Sequence, residues 1–211
     1  MEILHEMQKP FPHLIVENMY NDEELKLIWE ELEFLNKPNK FQNPENYGCA
    51  AEIVGDQKKY ISNAKALNLD SVYSSRNFSN ILTLNRKLFN YRYIYSNLDP
   101  NYVKFSCSNY DITKIRYYHN GEYYEPHKDI IYDTLACTYF HKYPQKFVGG
   151  ELVFPQHNYQ IECKNNLCVI FPAYFLHAVN LVSISNNDYY SGFGRYCMSQ
   201  FTNAVHNPQC W

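Results

Sequence analysis

The segment Arg116-Tyr-Tyr-His-Asn-Gly-Glu-Tyr-Tyr-Glu-Pro-His127-Lys-Asp129 contains a histidine and a carboxylate two residues apart. In a β-strand this spacing places His127 and Asp129 on the same face. A metal site built from two histidines and one carboxylate needs a third ligand beside them and leaves other coordination positions open. His177, which begins the apolar segment His-Ala-Val-Asn-Leu-Val, is the candidate for that third ligand.

The residue pattern of the chain around this segment predicts antiparallel strands. From Asp111 onward, short apolar or alternating segments follow one another and are separated by Gly, Pro and Asn. We predict strands at residues 112–118, 134–140, 151–154, 167–171, 177–182 and 195–202. With helices in the first half of the chain, the expected fold class is α+β. Its core, residues 111–203, would be a double-stranded β-helix, or jelly roll, of roughly eight strands.

Residues 10–110 are expected to form a helical support for that core. Asn21 followed by Glu24 matches a capping box, and the apolar residues behind them recur at helical spacing. A second helical pattern covers residues 75–95.

The stretch 37–73 is polar and is interrupted by prolines and glycines, as expected for a long functional loop. We predict a mobile lid over the substrate side of the site, and a passive surface insertion is the alternative.

Composition bounds the class of protein. The 211 residues fit a single domain, and a net charge of −3 argues against a nucleic-acid partner, which usually requires a basic stripe. The apolar runs are too short to span a membrane, and the N-terminus lacks the features of a signal peptide. Seven cysteines without a Cys-x-x-Cys pair indicate free thiols. We therefore expect a cytoplasmic protein.

Arg195 opens the last predicted strand, and its guanidinium is suited to bind a dicarboxylate such as 2-oxoglutarate through two parallel hydrogen bonds. The alternative is a surface arginine in an ion pair. Its position after His177 and at the start of that strand favours ligand binding.

The segment from Arg116 to Thr202 resembles the prolyl-4-hydroxylase-like branch of the 2-oxoglutarate/Fe(II)-dependent dioxygenases. The resemblance is carried by an ordered set of motifs rather than by any one of them. They are Arg116-Tyr-Tyr, the His-x-Asp pair, Gly149-Gly-Glu-Leu-Val-Phe-Pro155, His177 and Gly194-Arg-Tyr. The early Pro10-Phe-Pro-His-Leu-Ile-Val, followed by an acidic helix, also looks like the opening of that family.

This resemblance implies a set of functional residues and cofactors. The metal ligands and catalytic residues would be His127, Asp129 and His177, with Fe(II), 2-oxoglutarate and O₂ as cofactors and ascorbate as a candidate reductant. Cofactor binding would fall to Arg195 and to two tyrosines, Tyr139 and Tyr118. The neighbours Tyr117, Phe140 and Tyr132 could take the tyrosine roles instead.

Two features depart from the family pattern. Arg195 follows His177 later than usual, and residues 183–194 between them are predicted to be an inserted loop. The stretch 37–73 is expected to carry specificity of this chain's own.

The expected reaction is hydroxylation of a C–H bond, in a prolyl or other amino-acid side chain of a peptide or protein, or in a small molecule. A nucleic-acid demethylase of the same superfamily is an alternative, but Phe201 stands where that branch has a second arginine. A catalytically inactive jelly-roll binding module and a cupin-type metalloenzyme without 2-oxoglutarate are further alternatives. Intact metal and anion positions argue against the first, and Arg195 argues against the second.

Overall fold

The computed structural model describes residues 1–38, 40–185 and 188–205. The strands are β1 (Ile3–Met7), β2 (His13–Glu17), β3 (Ala51–Val54), β4 (Gln57–Tyr60), β5 (Lys65–Asn68), β6 (Tyr110–Tyr118), β7 (Tyr124–His127), β8 (Thr134–Phe140), β9 (Phe147–Gly149), β10 (Leu152–Phe154), β11 (Tyr159–Ile161), β12 (Leu167–Pro172), β13 (His177–Val179), β14 (Val182–Ile184) and β15 (Arg195–Asn203). The α-helices are α1 (Asp22–Leu35), α2 (Leu69–Val72), α3 (Asn80–Leu84) and α4 (Arg92–Leu98). Short 3₁₀ helices cover Arg76–Phe78, Asn85–Tyr91, Pro100–Cys107, Pro155–His157 and Tyr189–Ser191.

Two sheets form the barrel that positions the site. The larger has the order β1-β2-β12-β8-β15-β6-β5, and the smaller has the order β11-β10-β13-β7. The pairs β9–β14 and β3–β4 form two-stranded ribbons of their own. The ladders within these sheets are antiparallel, which is the double-stranded β-helix arrangement that the sequence predicted.

Strand alternation divides the core into two clusters. On β15, Tyr196 and Met198 pack into the cluster beneath the helices. Their neighbours Cys197 and Phe201 point to the other face, into the cluster between the two sheets. Since side chains alternate along a strand, Arg195 shares that inner face and lies inside the barrel.

The predicted α+β jelly roll is confirmed, and α1 begins with the predicted capping box. Asn21 accepts a hydrogen bond from the Glu24 backbone N–H, and the Glu24 carboxylate accepts one from the Asn21 backbone N–H. The helical pattern at residues 75–95 is present but divided into short α and 3₁₀ turns.

The predicted strand 177–182 is interrupted in the structure. Asn180 and Leu181 leave the ladder because β13 pairs within the smaller sheet, whereas β14 crosses to pair with β9. Part of the predicted loop 183–194 is therefore strand β14, and residues 186–187 lie outside the described residues.

The stretch 37–73 differs from the single lid-like insertion that was predicted. Residues 51–60 form the ribbon β3–β4, with the exposed side chains of Ile53 and Val54 near its turn. Residues 65–72 instead belong to the core, because β5 pairs with β6 and the side chains of Leu67 and Leu69 are buried. The predicted boundaries thus reach too far toward the C-terminal side.

The six cysteines within the described residues are free, and Cys210 lies outside them. Among the helices of that same part of the chain, none combines the length and apolarity needed to cross a bilayer.

Candidate metal centre and carboxylate pocket

The structure brings His127, Asp129 and His177 together at one end of the barrel. One ligand atom from each residue lies within 4.8 Å of the others. Asp129 Oδ2 is 3.4 Å from His177 Nε2 and 3.8 Å from His127 Nε2. Pairing of β13 with β7 places His177 directly opposite His127, so residues distant in sequence share one small volume.

The two imidazoles have their Nε2 atoms available as ligands. His127 Nδ1 is 2.9 Å from the Glu125 carbonyl oxygen, and His177 Nδ1 is 2.9 Å from the Phe175 carbonyl oxygen. A carbonyl accepts, so Nδ1 carries the proton in each neutral ring and Nε2 keeps its lone pair. Metal-binding histidines are commonly oriented in this way by a backbone carbonyl.

The electrostatics of the cluster also favour metal binding. Burial, assisted by the neighbouring His177, lowers the pKa of His127 to about 3, so the ring is neutral at physiological pH. Burial opposes ionisation of Asp129, but the hydrogen bond and charge of His177 outweigh it and lower the pKa of that carboxyl. The set thus offers two imidazole nitrogens and one carboxylate, which suits a divalent transition metal.

Deeper in the same cavity, Arg195 is completely buried, and among the residues that the structure describes its Nε, Nη1 and Nη2 atoms have no hydrogen-bond partner. The guanidinium carbon lies 4.7 Å from the ring centroids of both Tyr118 and Tyr139. The Tyr139 hydroxyl is also buried without a partner. Buried polar groups are nearly always satisfied in native proteins, so these orphaned donors fit an anionic ligand such as a carboxylate.

Because side chains alternate along a strand, the two tyrosines predicted to bind the cofactor face the opposite way from the residues next to them in sequence. Tyr118 and Tyr139 line the cavity. Tyr117 and Phe140 face the helices instead and pack in the other cluster. Tyr132 contacts the cavity residue Phe201, with ring centroids 4.8 Å apart, and is not itself among the described lining residues. Of the alternatives, Tyr118 and Tyr139 are therefore the residues that contact Arg195.

Gly150 makes room for the buried arginine. Its φ of +76° lies in the left-handed region, and a Cβ atom there would lie 2.7 Å from Arg195 Cδ. Gly150 of the Gly149-Gly150 pair in the sequence motif is thus required beside Arg195, both by conformation and by space.

Two further side chains complete the cavity, and of these the role of Arg116 was missed by the sequence reasoning. Tyr124 stacks on His127 with ring centroids 3.8 Å apart. Arg116 is buried in the same cavity, two residues before Tyr118. The sequence could have predicted the position of Arg116, because alternation along one strand places it on the same face as Tyr118.

The architecture is the jelly-roll fold of the 2-oxoglutarate/Fe(II) oxygenases, and structures similar to this chain come from that class. A prolyl-4-hydroxylase from Pseudomonas putida has a TM-score of 0.59 at 12% identity, covering 91% of this chain and 92% of its own. A viral collagen prolyl hydroxylase from Paramecium bursaria Chlorella virus-1, solved with 2-oxoglutarate, has a TM-score of 0.53 at 13% identity, covering 92% and 96%. A 2OG-Fe(II) oxygenase family member from Burkholderia pseudomallei has a TM-score of 0.54 at 11% identity, covering 90% and 84%.

No family model and no curated protein sequence matches the chain. The structural likenesses confirm the predicted fold and its resemblance to prolyl-4-hydroxylases.

Proposed function

We propose that this chain is an Fe(II)- and 2-oxoglutarate-dependent dioxygenase that hydroxylates a C–H bond. The observation that carries the proposal is one cavity with two complementary ends. One end holds the open Nε2 atoms of His127 and His177 beside Asp129, and the other holds the unpaired guanidinium of Arg195. A ligand that chelates a metal and ends in a distal carboxylate matches both ends.

In this proposal each residue has a defined task. His127, Asp129 and His177 would hold Fe(II), and Arg195 with Tyr139 would bind the distal carboxylate of 2-oxoglutarate. When bound, the metal and cosubstrate supply the activation of O₂ for C–H hydroxylation. The apolar lining around them, including Leu152 and Val179, keeps water away from the reacting atoms.

The proposed substrate is an amino-acid side chain in a peptide or protein, or a small molecule. The prolyl hydroxylases among the structural neighbours support this class. Against nucleic-acid demethylation, Phe201 lines the cavity at the position where a second arginine would be expected, and the chain has a net charge of −3. The free thiols are consistent with a reducing, cytoplasmic location.

The direct test is 2-oxoglutarate binding and turnover. Purified protein loaded anaerobically with Fe(II) should bind 2-oxoglutarate with a visible absorption change, and should release succinate on exposure to air and ascorbate. Omitting Fe(II) should abolish both signals. Failure of the iron-loaded protein to bind 2-oxoglutarate would refute the proposal, whatever the substrate.

Gly150→Ala is expected to weaken 2-oxoglutarate binding and to destabilise the fold. A side chain in the left-handed region costs about 1–2 kcal/mol, and the added methyl group would also displace Arg195. The measurements are the unfolding free energy and the Kd for 2-oxoglutarate.

Gly121→Ala is the matched control for this prediction, because Gly121 has a φ of +77° but nothing within 4 Å of an added Cβ. It should show the backbone cost with an unchanged Kd. Equal 2-oxoglutarate affinities for the two variants would contradict the proposed role of Gly150.

The lid hypothesis now applies to the ribbon β3–β4. The ribbon is tied to the metal-site strand β7, because Lys59 Nζ is 2.8 Å from Glu125 Oε1 and the Glu125 N–H donates to the Ile61 carbonyl at 2.8 Å. Deleting residues 48–58, which removes β3 and half of β4, should leave 2-oxoglutarate binding near normal while raising turnover of 2-oxoglutarate that is not coupled to hydroxylation.

The ratio of succinate to hydroxylated product measures this coupling. The double variant Ile53→Ser, Val54→Ser keeps the length of the ribbon and serves as the control for loss of exposed apolar surface. A deletion variant with full coupling would identify the ribbon as a passive insertion.

A further inference from the structure

Strand β6 carries two cations on its inner face, of which Arg116 lines the cavity and Lys114 lies beside it. Tyr118, Arg116 and Lys114 alternate along it, and Tyr118 already contacts the buried Arg195. Across the ladder, Cys197 is opposite Arg116 and Ser199 is opposite Lys114. Arg116 and then Lys114 therefore lie at increasing distance from Arg195 along the β6–β15 ladder.

Arg116 is buried and lies one aromatic ring away from the metal centre. Its guanidinium carbon is 5.2 Å from the ring centroid of Tyr124, the ring that stacks on His127. Its Nη1 donates to Ser199 Oγ at 2.9 Å, but its Nε is buried without a partner in the described part of the chain. The guanidinium thus keeps one unused N–H donor in the buried interior.

Lys114 is half-buried and lies two residues before Arg116 on β6. Its ammonium is 5.7 Å from the ring centroid of Tyr47. Burial and the charge of Arg116 lower the pKa of Lys114 to about 8. At neutral pH the amine is therefore protonated in most molecules. Among the residues that the structure describes, neither Lys114 nor Arg116 has a carboxylate within 4.0 Å.

A count of charges shows that the proposed cofactors do not neutralise these cations. Fe(II) and Arg195 bring three positive charges, which Asp129 and the two carboxylates of 2-oxoglutarate balance. Arg116 and Lys114 add two more positive charges, of which the Cys197 thiol can offset one, because its hydrogen bond with Cys137 lowers its pKa to about 6. Burying unpaired charges is costly, so a cavity built in this way favours an incoming anion.

We infer that the substrate presents a carboxylate to Arg116 and Lys114, close to the metal centre. This inference rests on the proposed function and narrows its substrate class to carboxylic acids. The carboxylate could belong to a small free acid, or to an acidic side chain or C-terminus of a peptide. The fork of an arginine suits a planar carboxylate, and a lysine beside it adds a second charge.

The experiment uses the full chain loaded anaerobically with Fe(II) and saturating 2-oxoglutarate. The probes are N-acetyl amino acids with their C-terminal amides, and short peptides containing Asp or Glu with their Asn or Gln counterparts. Each pair differs in charge and little in shape. Binding is read from the shift in Tm and from the visible absorption of the metal complex. Preference for acids of the first set indicates a small acid or C-terminus, and preference within the second set indicates an acidic side chain.

The expected result is that at least one acid binds and its neutral partner binds at least about tenfold more weakly, since hydrogen bonds to charged groups are the strong ones. Arg116→Gln and Lys114→Met should each reduce that acid preference at least about tenfold. Arg116→Lys, which keeps the charge, should retain part of it and covers the case in which the glutamine variant does not fold. Lys26→Met, on the exposed side of α1, is the matched control and should change nothing.

Three outcomes would overturn the inference. In the first, no acid binds more tightly than its neutral partner. In the second, acid binding persists unchanged in Lys114→Met and in a folded Arg116 variant. In the third, Arg116→Gln weakens 2-oxoglutarate itself as much as Arg195→Lys does, which would assign Arg116 to the cosubstrate. Failure of the iron-loaded wild-type protein to bind 2-oxoglutarate would instead refute the proposed function. Failure of the substrate inference and failure of the proposed function are therefore distinguishable.

Discussion

His177→Ala is expected to reduce iron affinity by more than about 100-fold and to abolish succinate formation. Even residues that only orient a metal ligand change metal affinity by about 10- to 100-fold, so removal of a ligand should exceed that range. Nε2 of His177 is 3.4 Å from Asp129 Oδ2 and Nε2 of His127 is 3.8 Å from it, so alanine at 177 leaves that carboxylate with one imidazole partner. Iron content after dialysis and the rate of 2-oxoglutarate turnover measure the effect.

The variant should still fold, because the backbone pairing of β13 with β7 and β10 does not need the imidazole. His5→Ala, an exposed histidine on β1, controls for loss of a histidine away from the site. Thermal unfolding without metal should show a cooperative transition in both variants. Stoichiometric iron with coupled turnover in His177→Ala would show that the metal ligands are other residues.

Arg195→Lys is expected to raise the Kd for 2-oxoglutarate roughly 10- to 100-fold while leaving iron affinity nearly unchanged. Lysine keeps the charge but loses the two-pronged geometry, and a hydrogen bond to a charged group contributes about 1.5–3 kcal/mol. The guanidinium is held between Tyr118 and Tyr139, a space in which an ammonium would not present two parallel donors. Anaerobic titration with 2-oxoglutarate measures the change.

Lys142→Met is a suitable comparison for that titration, because Lys142 lies outside the cavity and pairs with Glu33 at 2.9 Å. It should bind 2-oxoglutarate as the unaltered protein does. An unchanged Kd in Arg195→Lys would move the carboxylate anchor to another residue, for which the buried Arg116 would be the next to test.

Local sequence pattern was sufficient to predict the barrel and to select the residues proposed for the site. A His-x-Asp pair places two side chains on one face of an extended chain, and alternation in residues 195–202 separates inner from outer positions. The predicted strand 134–140 coincides with β8, and the Asn21–Glu24 capping box begins α1. These features depend on neighbouring residues, so the sequence alone determines them.

Long-range pairing decided the rest. That His177 lies opposite His127 depends on the register of β13 against β7, which hydrogen bonds between distant segments set. The division of 37–73 into an exposed ribbon and a core strand depends on β5 finding the edge of β6. The grouping of Lys114 and Arg116 with Asp129 likewise requires the closed barrel, because only folding removes water from those charges and brings them near the metal ligands. The ligands of the candidate metal centre could thus be predicted from the order of motifs, whereas the excess positive charge beside it emerged only from tertiary structure.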